Sequence, residues 1–356
     1  MGDVPELDLS VGVVDLTADL VNIASESLHE DDIADAVERA LSALPHLTVH
    51  RDGHSIVAAT SLGRSERVVI AGHLDTVPEN GNLPARLDGE TLWGLGTCDM
   101  KGGVAVALKL AAELGAPVRD VTYVFYEAEE IAAEYNGLGR IAREHPEWLE
   151  GDFAILMEPS NAGVEAGCQG TMRADIRTSG ERSHSARWWM GSNAIHKLGA
   201  ALRTLDDYAP REVPIDGLVY REGLNAVGIR GGVSGNVIPD EAVLTVNFRF
   251  APDRSEDDAL AHLREVFAGY DLTVTDSAPG ALPGLARPAA AAFIEAVGGQ
   301  VGPKFGWTDV AKFTLLGIPA VNYGPGDPSF AHKADEHVPV AHLRSVHERL
   351  TRWLTP

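Results

Sequence analysis

Apolar positions recur at spacings of three and four over residues 13–24 (VVDLTADLVNIA) and 31–44 (DDIADAVERALSAL), which predicts two amphipathic helices with a scaffold role. The following apolar stretches have a different texture. RVVIAGHLD (67–75), VTYVFYEAEE (121–130) and FAILMEPS (153–160) are buried-type runs that each end in His, Asp or Glu. KGGVAVALKLAAELGA (101–116) reads as a helix between the first two. Strands separated by helices predict an α/β fold with a mostly parallel sheet. Such sheets bind ligands outside the carboxyl ends of their strands. His73, Asp99, Glu129, Glu130 and Glu158 are therefore expected on one rim although they are spread along the chain.

From about Gly170 the order of elements changes. Strand (171–179), helix (193–209), strand (224–232), strand (242–251), helix (256–270) and strand (271–278) form a βαββαβ sequence, the ferredoxin-like arrangement. Ser255 followed by Asp258 gives the second of these helices a capping signal. The Gly- and Pro-containing segment 277–288 reads as a return connection, followed by a helix near 288–298, a strand near 318–324 and a closing helix over 340–354. The expected organisation is a catalytic domain formed by 1–169 and 284–356, interrupted by an inserted domain over 170–283.

Composition narrows the function classes. A chain of 356 residues with 45% hydrophobic content is expected to build two cores. Its formal charge of −23 argues against nucleic-acid and anionic-membrane partners, which require basic patches. No apolar run approaches the roughly 18 residues of a membrane span, and the start MGDVPELDLS lacks a signal-peptide pattern, so a cytoplasmic protein is expected. Cys98 and Cys168 read as buried thiols rather than a disulfide framework.

The stretch WGLGTCDMKGG (93–103) sets Asp99 between a Gly-containing turn and the Ala-rich helix. Alone, Asp99 reads as a helix cap. Its company suggests more. HLD at 73–75 offers an imidazole ligand and, in Asp75, a carboxylate able to hold the other ring nitrogen. Glu129 and Glu130 end a buried-type run as a like-charged pair, an arrangement that calls for neutralisation. Two His and three acidic ligands with one spare Glu match a two-metal site in which Asp99 is the natural bridge and Glu129 the natural base. Mixed His and carboxylate donors suit two divalent ions, zinc first, with cobalt or manganese also suited. Chemistry alone does not choose between His332 and His337 for the last ligand.

The ordered motifs GHLDTVP (72–78), GLGTCDMKGG (94–103), AEE (128–130), MEPS (157–160), SHSA (183–186), GNVIPD (235–240) and AHKADEHVP (331–339) span nearly the whole chain. Together they resemble the co-catalytic zinc family that holds aminoacylase, acetylornithine deacetylase, folate-cleaving carboxypeptidases and succinyl-diaminopimelate desuccinylase. The resemblance implies one metal held by His73 and Glu158, the other by Glu130 and His332, with Asp99 bridging. It implies Asp75 as support for His73, and Glu129 as general base and then acid. It further implies that the inserted domain forms a homodimer, in which His184 of a partner subunit meets the developing oxyanion. Asn236 and Arg249 stand where relatives read substrate polar groups, and Arg187 is a further cationic anchor.

EEIAAEYNGLGRI, RSHSARWWMGSNAIHK and FGWTDVAKF resemble the shorter desuccinylase branch, implying hydrolysis of an N-acyl amino acid, N-succinyl-LL-2,6-diaminopimelate, to succinate and the free amine. Rivals are an acetylornithine-type deacylase, a metallo-dipeptidase or carboxypeptidase, and a non-catalytic binding relative, which the intact ligand set opposes. Leu95 departs from the Arg found there in many relatives, and any role of that Arg is not carried over.

Overall fold

The computed structural model describes residues 5–356, which form two compact units. One comprises the chain up to Ala166 together with Gly284–Gly302 and Lys312–Pro356. The other comprises Gly167–Pro283 with Pro303–Ala311.

In chain order the elements used below are α1 (Val13–Val21), α2 (Asp31–Ser42), β1 (Thr48–Asp52), β2 (Ser55–Ala59), β3 (Arg67–His73), α3 (Lys101–Glu113), β4 (Asp120–Tyr126), β5 (Phe153–Leu156) and β6 (Val164–Ala166). The second unit adds β7 (Gly170–Ser179), α4 (Ala194–Asp206), β8 (Gly223–Gly231), β9 (Glu241–Phe250), α5 (Glu256–Val266) and β10 (Asp271–Ala278). Back in the first unit are β11 (Val301–Pro303), β12 (Ala320–Asn322) and α6 (Val340–Leu354).

The large sheet of the first unit runs β1-β2-β4-β3-β5-β12-β6-β11. Its centre is the parallel set β4, β3, β5 and β12. The β1–β2 hairpin joins through an antiparallel β2–β4 pair, and β6 runs antiparallel to β12. Every residue of β4 is buried, as is β3 after Arg67, which is why these strands read as continuous apolar runs. The helix α3 is equally apolar and buries all but its end, with Val104, Val106, Leu108 and Leu110 fully enclosed. The β1–β2 hairpin and the short strands β6 and β11 are not apparent from apolar periodicity, because β6 and β11 have only three residues each and β1 is mostly polar. The strand expected over 121–130 stops at Tyr126 and that over 67–75 at His73, so the acidic residues beyond them lie in turns.

The second unit is the expected βαββαβ arrangement. Its antiparallel sheet runs β8-β9-β7-β10. Ala194, Leu198 and Ala201 of α4 and Ala259 and Leu263 of α5 share a core with Ile176, Leu244, Val246 and Phe248 of the sheet. Ser255 and Asp258 form the reciprocal capping box at the start of α5. Pro303–Ala311 belongs to this unit through main-chain bonds such as Gln169 N–H to the Lys304 carbonyl, and the Trp307 indole donates to the Pro279 carbonyl. Among the described residues no helix is long and apolar enough to cross a membrane.

Asp120 begins β4 and anchors the loop that leads into β3. Its buried carboxylate accepts from the Leu62 N–H at 2.7 Å, the Thr60 hydroxyl at 2.7 Å and the Arg64 N–H at 2.8 Å. Burial works against ionisation, but these donors and Arg67 outweigh it and hold the carboxyl below its ordinary 3.8. A depressed folded-state pKa stabilises the fold above the unfolded value and loses that contribution as pH falls through the folded one. Asp120→Asn should therefore cost about 1–3 kcal/mol at pH 7. Urea unfolding at pH 7 and pH 3 should show the difference from wild type shrinking at the lower pH.

Candidate metal centre

The parallel register aligns the strand ends that carry the site. His73 at the end of β3 pairs with Tyr126 at the end of β4, and Ala71 pairs with Leu156 at the end of β5. Two residues beyond Leu156 is Glu158, and just beyond Tyr126 are Glu129 and Glu130. Asp99 arrives from the turn before α3. That helix packs against the Met157 peptide so closely that a Cβ on Gly103 would lie 2.2 Å from the Met157 carbonyl oxygen. Gly324, just after β12, approaches the same oxygen from elsewhere, with a Cβ position at 2.3 Å. Glycine at both positions lets the segments bearing Asp99 and Glu158 close on one another.

Asp99 sits between two imidazoles. Its Oδ1 is 3.2 Å from His73 Nε2 and its Oδ2 is 3.5 Å from His332 Nε2. His332 Nε2 is also 2.9 Å from Glu130 Oε1. Three donor groups result, each with ligand atoms within 4.8 Å: His73, Asp99 and Glu158; Asp99, Glu130 and His332; His73, Glu129 and Glu130. Of the two histidines left open by chemistry, His332 reaches the cluster, whereas His337 Nδ1 lies 2.8 Å from the Asp335 carbonyl oxygen.

The electrostatics of this cluster call for positive charge. Burial opposes a charged His73, yet Asp75 and Asp99 raise its pKa well above 6.5. Hydrogen bonding to Asp99 and Glu130 raises His332 to about 10. Burial pushes the Asp99 carboxyl up, but the two imidazoles hold it well below its ordinary range. Burial raises the Glu130 carboxyl. Protons on imidazole thus take the place that cations fill when such donors bind metal. The donor set, mixed nitrogen and oxygen with no sulfur, fits two borderline divalent ions.

Several contacts depart from expectation. Asp75 approaches His73 Nδ1 at 3.4 Å with its carboxylate, but its backbone carbonyl is closer, at 3.0 Å. The fully buried carboxylate also accepts the consecutive N–H groups of Glu129 at 3.0 Å and Glu130 at 3.1 Å, and the Ser27 hydroxyl at 2.7 Å. Ala128 just before them has φ +56°, so the acidic pair is carried on a sharp turn and not on an extended strand. Asp99 does not cap α3: Met100 occupies the cap position and no side chain caps the helix. Cys98 donates its thiol to the Asp327 carbonyl at 3.0 Å. Cys168 is likewise a free, buried thiol. Leu95 is buried.

Two residues without a sequence-derived role support the centre. Glu336 is buried and its Oε1 accepts the N–H groups of both Cys98 and Asp99 at 3.0 Å, while burial raises its carboxyl to about 7. Lys101 is buried, donates to the Ile23 carbonyl at 2.7 Å and is lowered to about 7 by burial. Glu336 lies within the AHKADEHVP motif, but nothing in its letters separates it from an exposed acid.

The remaining candidates belong to the second unit. A two-residue ladder of Ser183–His184 with Val237–Ile238, and the Ser185 N–H donating to the Asn236 carbonyl at 2.9 Å, bring His184 and Asn236 together. Exposed His184 accepts the Ala186 N–H at 3.1 Å through Nδ1. Arg187 is exposed where a short helix kinks. Arg249 on β9 is half-buried, and its guanidinium makes no hydrogen bond or ion pair among the described residues; burial and Arg173 lower its pKa.

Comparison with known proteins gives one family. Residues 69–355 match the model of Peptidase family M20/M25/M40. A Mycobacterium tuberculosis protein named "Putative succinyl-diaminopimelate desuccinylase DapE" is 56% identical over 98% of this chain and 99% of its own length. A Corynebacterium glutamicum succinyl-diaminopimelate desuccinylase is 46% identical over 99% of this chain and 98% of its own. Among solved structures, a Sulfolobus solfataricus M20 family metallo-carboxypeptidase, Sso-CP2, superposes with a TM-score of 0.81 over 97% of this chain and 98% of that one, at 17% identity, and so supports the fold.

The close approach of α3 to Met157 gives a direct test. Gly103→Ala should destabilise the protein by about 1–3 kcal/mol in urea unfolding, since the clash is with main chain. The same variant should retain less divalent metal after dialysis than wild type, measured by elemental analysis.

Proposed function

The chain belongs to Peptidase family M20/M25/M40, and from that premise we propose that it hydrolyses the amide of N-succinyl-LL-2,6-diaminopimelate, releasing succinate and LL-2,6-diaminopimelate. The observation that carries a hydrolytic centre is Asp99, whose two carboxylate oxygens face two separate imidazoles, each accompanied by a further carboxylate. The substrate rests on the two relatives of 56% and 46% identity.

In this reading His73 and Glu158 would hold one divalent ion and Glu130 and His332 the other, with Asp99 shared between them, and mixed nitrogen and oxygen donors favour zinc over cobalt or manganese. When bound, such a pair would supply Lewis-acid polarisation of the amide carbonyl and a lowered pKa for an attacking water. Glu129, fixed through its N–H by Asp75, takes a proton from the attacking water and delivers it to the departing amine nitrogen. The C–N bond breaks, the acyl carbon gains the water oxygen, and the amine leaves neutral. His184 donates to the developing oxyanion from a partner subunit, so the working form is a homodimer built through the inserted domain, 170–283. The catalytic part is 1–169 with 284–356. Arg249, whose guanidinium forms no close ion pair among the described residues, Arg187 and Asn236 read the substrate's carboxylates and polar groups. In this reading the protein acts in the cytoplasm.

Steady-state comparison of N-succinyl-diaminopimelate, N-acetylornithine and dipeptides tests the substrate. The succinyl compound should be turned over with the highest kcat/KM, and turnover of dipeptides alone would reject it. Glu129→Gln should keep wild-type metal content while kcat falls about 10²–10⁴-fold. Mixing His184→Ala with Glu129→Ala subunits should restore part of the activity; verified mixed dimers without recovery would remove His184 from a shared site.

A further inference from the structure

The turn between β1 and β2 carries a second convergence of imidazole and carboxylate, built from none of the residues placed at the centre above. His54 Nδ1 lies 3.1 Å from Glu127 Oε2 and 3.6 Å from Glu30 Oε2. One ligand atom from each of Glu30, His54 and Glu127 lies within 4.8 Å of the other two.

Each of these groups is fixed through the atom that does not converge. Glu30 Oε1 accepts the Ala128 N–H at 3.1 Å. Glu127 Oε1 accepts the His54 N–H at 3.2 Å and the Arg140 guanidinium. His54 Nε2 is 3.2 Å from Asp31 Oδ1, the carboxylate–imidazole pairing that orients a ligating histidine and fixes its tautomer. Two of the three converging atoms are unsatisfied. Glu30 is fully buried and its Oε2 has no hydrogen-bond partner, and His54 Nδ1, despite its 3.1 Å approach to Glu127, is not aligned to hydrogen-bond.

Cation geometry suits the spacing. Metal–donor distances of about 2.0–2.2 Å in tetrahedral coordination put neighbouring donors about 3.4 Å apart. The observed 3.1 and 3.6 Å bracket that figure. Three carboxylates, Glu30, Asp31 and Glu127, face this imidazole; Arg140, already shared with Asp52, is the guanidinium on Glu127.

We propose that Glu30 Oε2, His54 Nδ1 and Glu127 Oε2 form a third divalent-cation site, with Asp31 as the outer partner of His54 and water completing the coordination. One imidazole and two carboxylates select a borderline ion such as zinc, cobalt or manganese. A cation there joins the β1–β2 turn and the start of α2 to the segment Glu127–Glu130.

Crystals of the whole protein equilibrated with Zn²⁺ and measured at the zinc edge test this directly. An anomalous peak bonded to these three atoms is expected, and elemental analysis after desalting should give about three zinc per chain, falling by one in His54→Ala and His54→Gln while the other two stay. Zinc filling the Asp99 centre with no peak at His54 would overturn the site, as would an unchanged stoichiometry in both folded variants. If neither variant folds, the wild-type anomalous map alone decides.

Discussion

Concentrated negative charge at the carboxyl ends of the parallel strands is the constraint on which the first unit depends. Asp75, Asp99 and Glu158 are buried or nearly so, and Glu129 and Glu130 stand beside them. Carboxylates in such surroundings ionise only when cationic or hydrogen-bonding partners repay their desolvation. The raised pKa values of His73 and His332 express that demand, since both imidazoles hold protons more tightly than in water despite the burial that works against this at His73. Divalent ions meet the same demand with higher charge and without an N–H in the way.

The buried acids divide into two kinds by where their oxygens point. Asp75, Glu336 and Asp120 turn them to backbone N–H groups and so act as fasteners: Asp75 for the turn of Glu129 and Glu130, Glu336 for the segment of Cys98 and Asp99, Asp120 for the loop before β3. Asp99 turns both oxygens to imidazole nitrogens. Only this second kind has the open directional lone pairs that a metal requires, and its precision is inherited from the first. Glu30 and Glu127 are mixed, each with one oxygen on a backbone N–H and the other facing His54.

Much of this was legible in the letters. The parallel core shows as apolar runs because β3, β4 and β5 are buried on both faces, and their acidic or imidazole endings mark the rim by the general rule for open α/β sheets. The βαββαβ unit shows because its strands alternate, as β7 does along its length. What was not legible depends on backbone direction. The positive φ of Ala128 moves Glu129 and Glu130 off the strand, so Asp75 meets their N–H groups, a relation that no spacing encodes. Glu336 and Glu30 look like surface acids, and only long-range contacts, with Asp99 and Ala128 respectively, reveal them as buried. Capping by Asp99 failed as a local rule because the side chain's stronger partners, His73 and His332, are distant in sequence.

The proposed chemistry and the proposed recognition draw on different parts of this chain, and their physical requirements differ accordingly. All five prospective ligands and Glu129 lie in the first unit, where all but His332 follow the ends of buried strands or the turn before a buried helix, and His332 sits in an exposed turn after Phe330. Metal binding needs that rigidity, since donors displaced by a fraction of an ångström lose coordination. Arg187, Asn236 and Arg249 lie in the second unit, on a kinked turn, a loop and a half-buried strand position. The proposed reading of a multiply charged substrate calls for guanidinium groups not already held in close ion pairs; Arg249 forms none among the described residues, with Asp276 acting on it only at longer range, whereas Arg211 and Arg254 are both paired with Glu222. A change of substrate can therefore arise in the second unit without disturbing the charge balance that holds the first together.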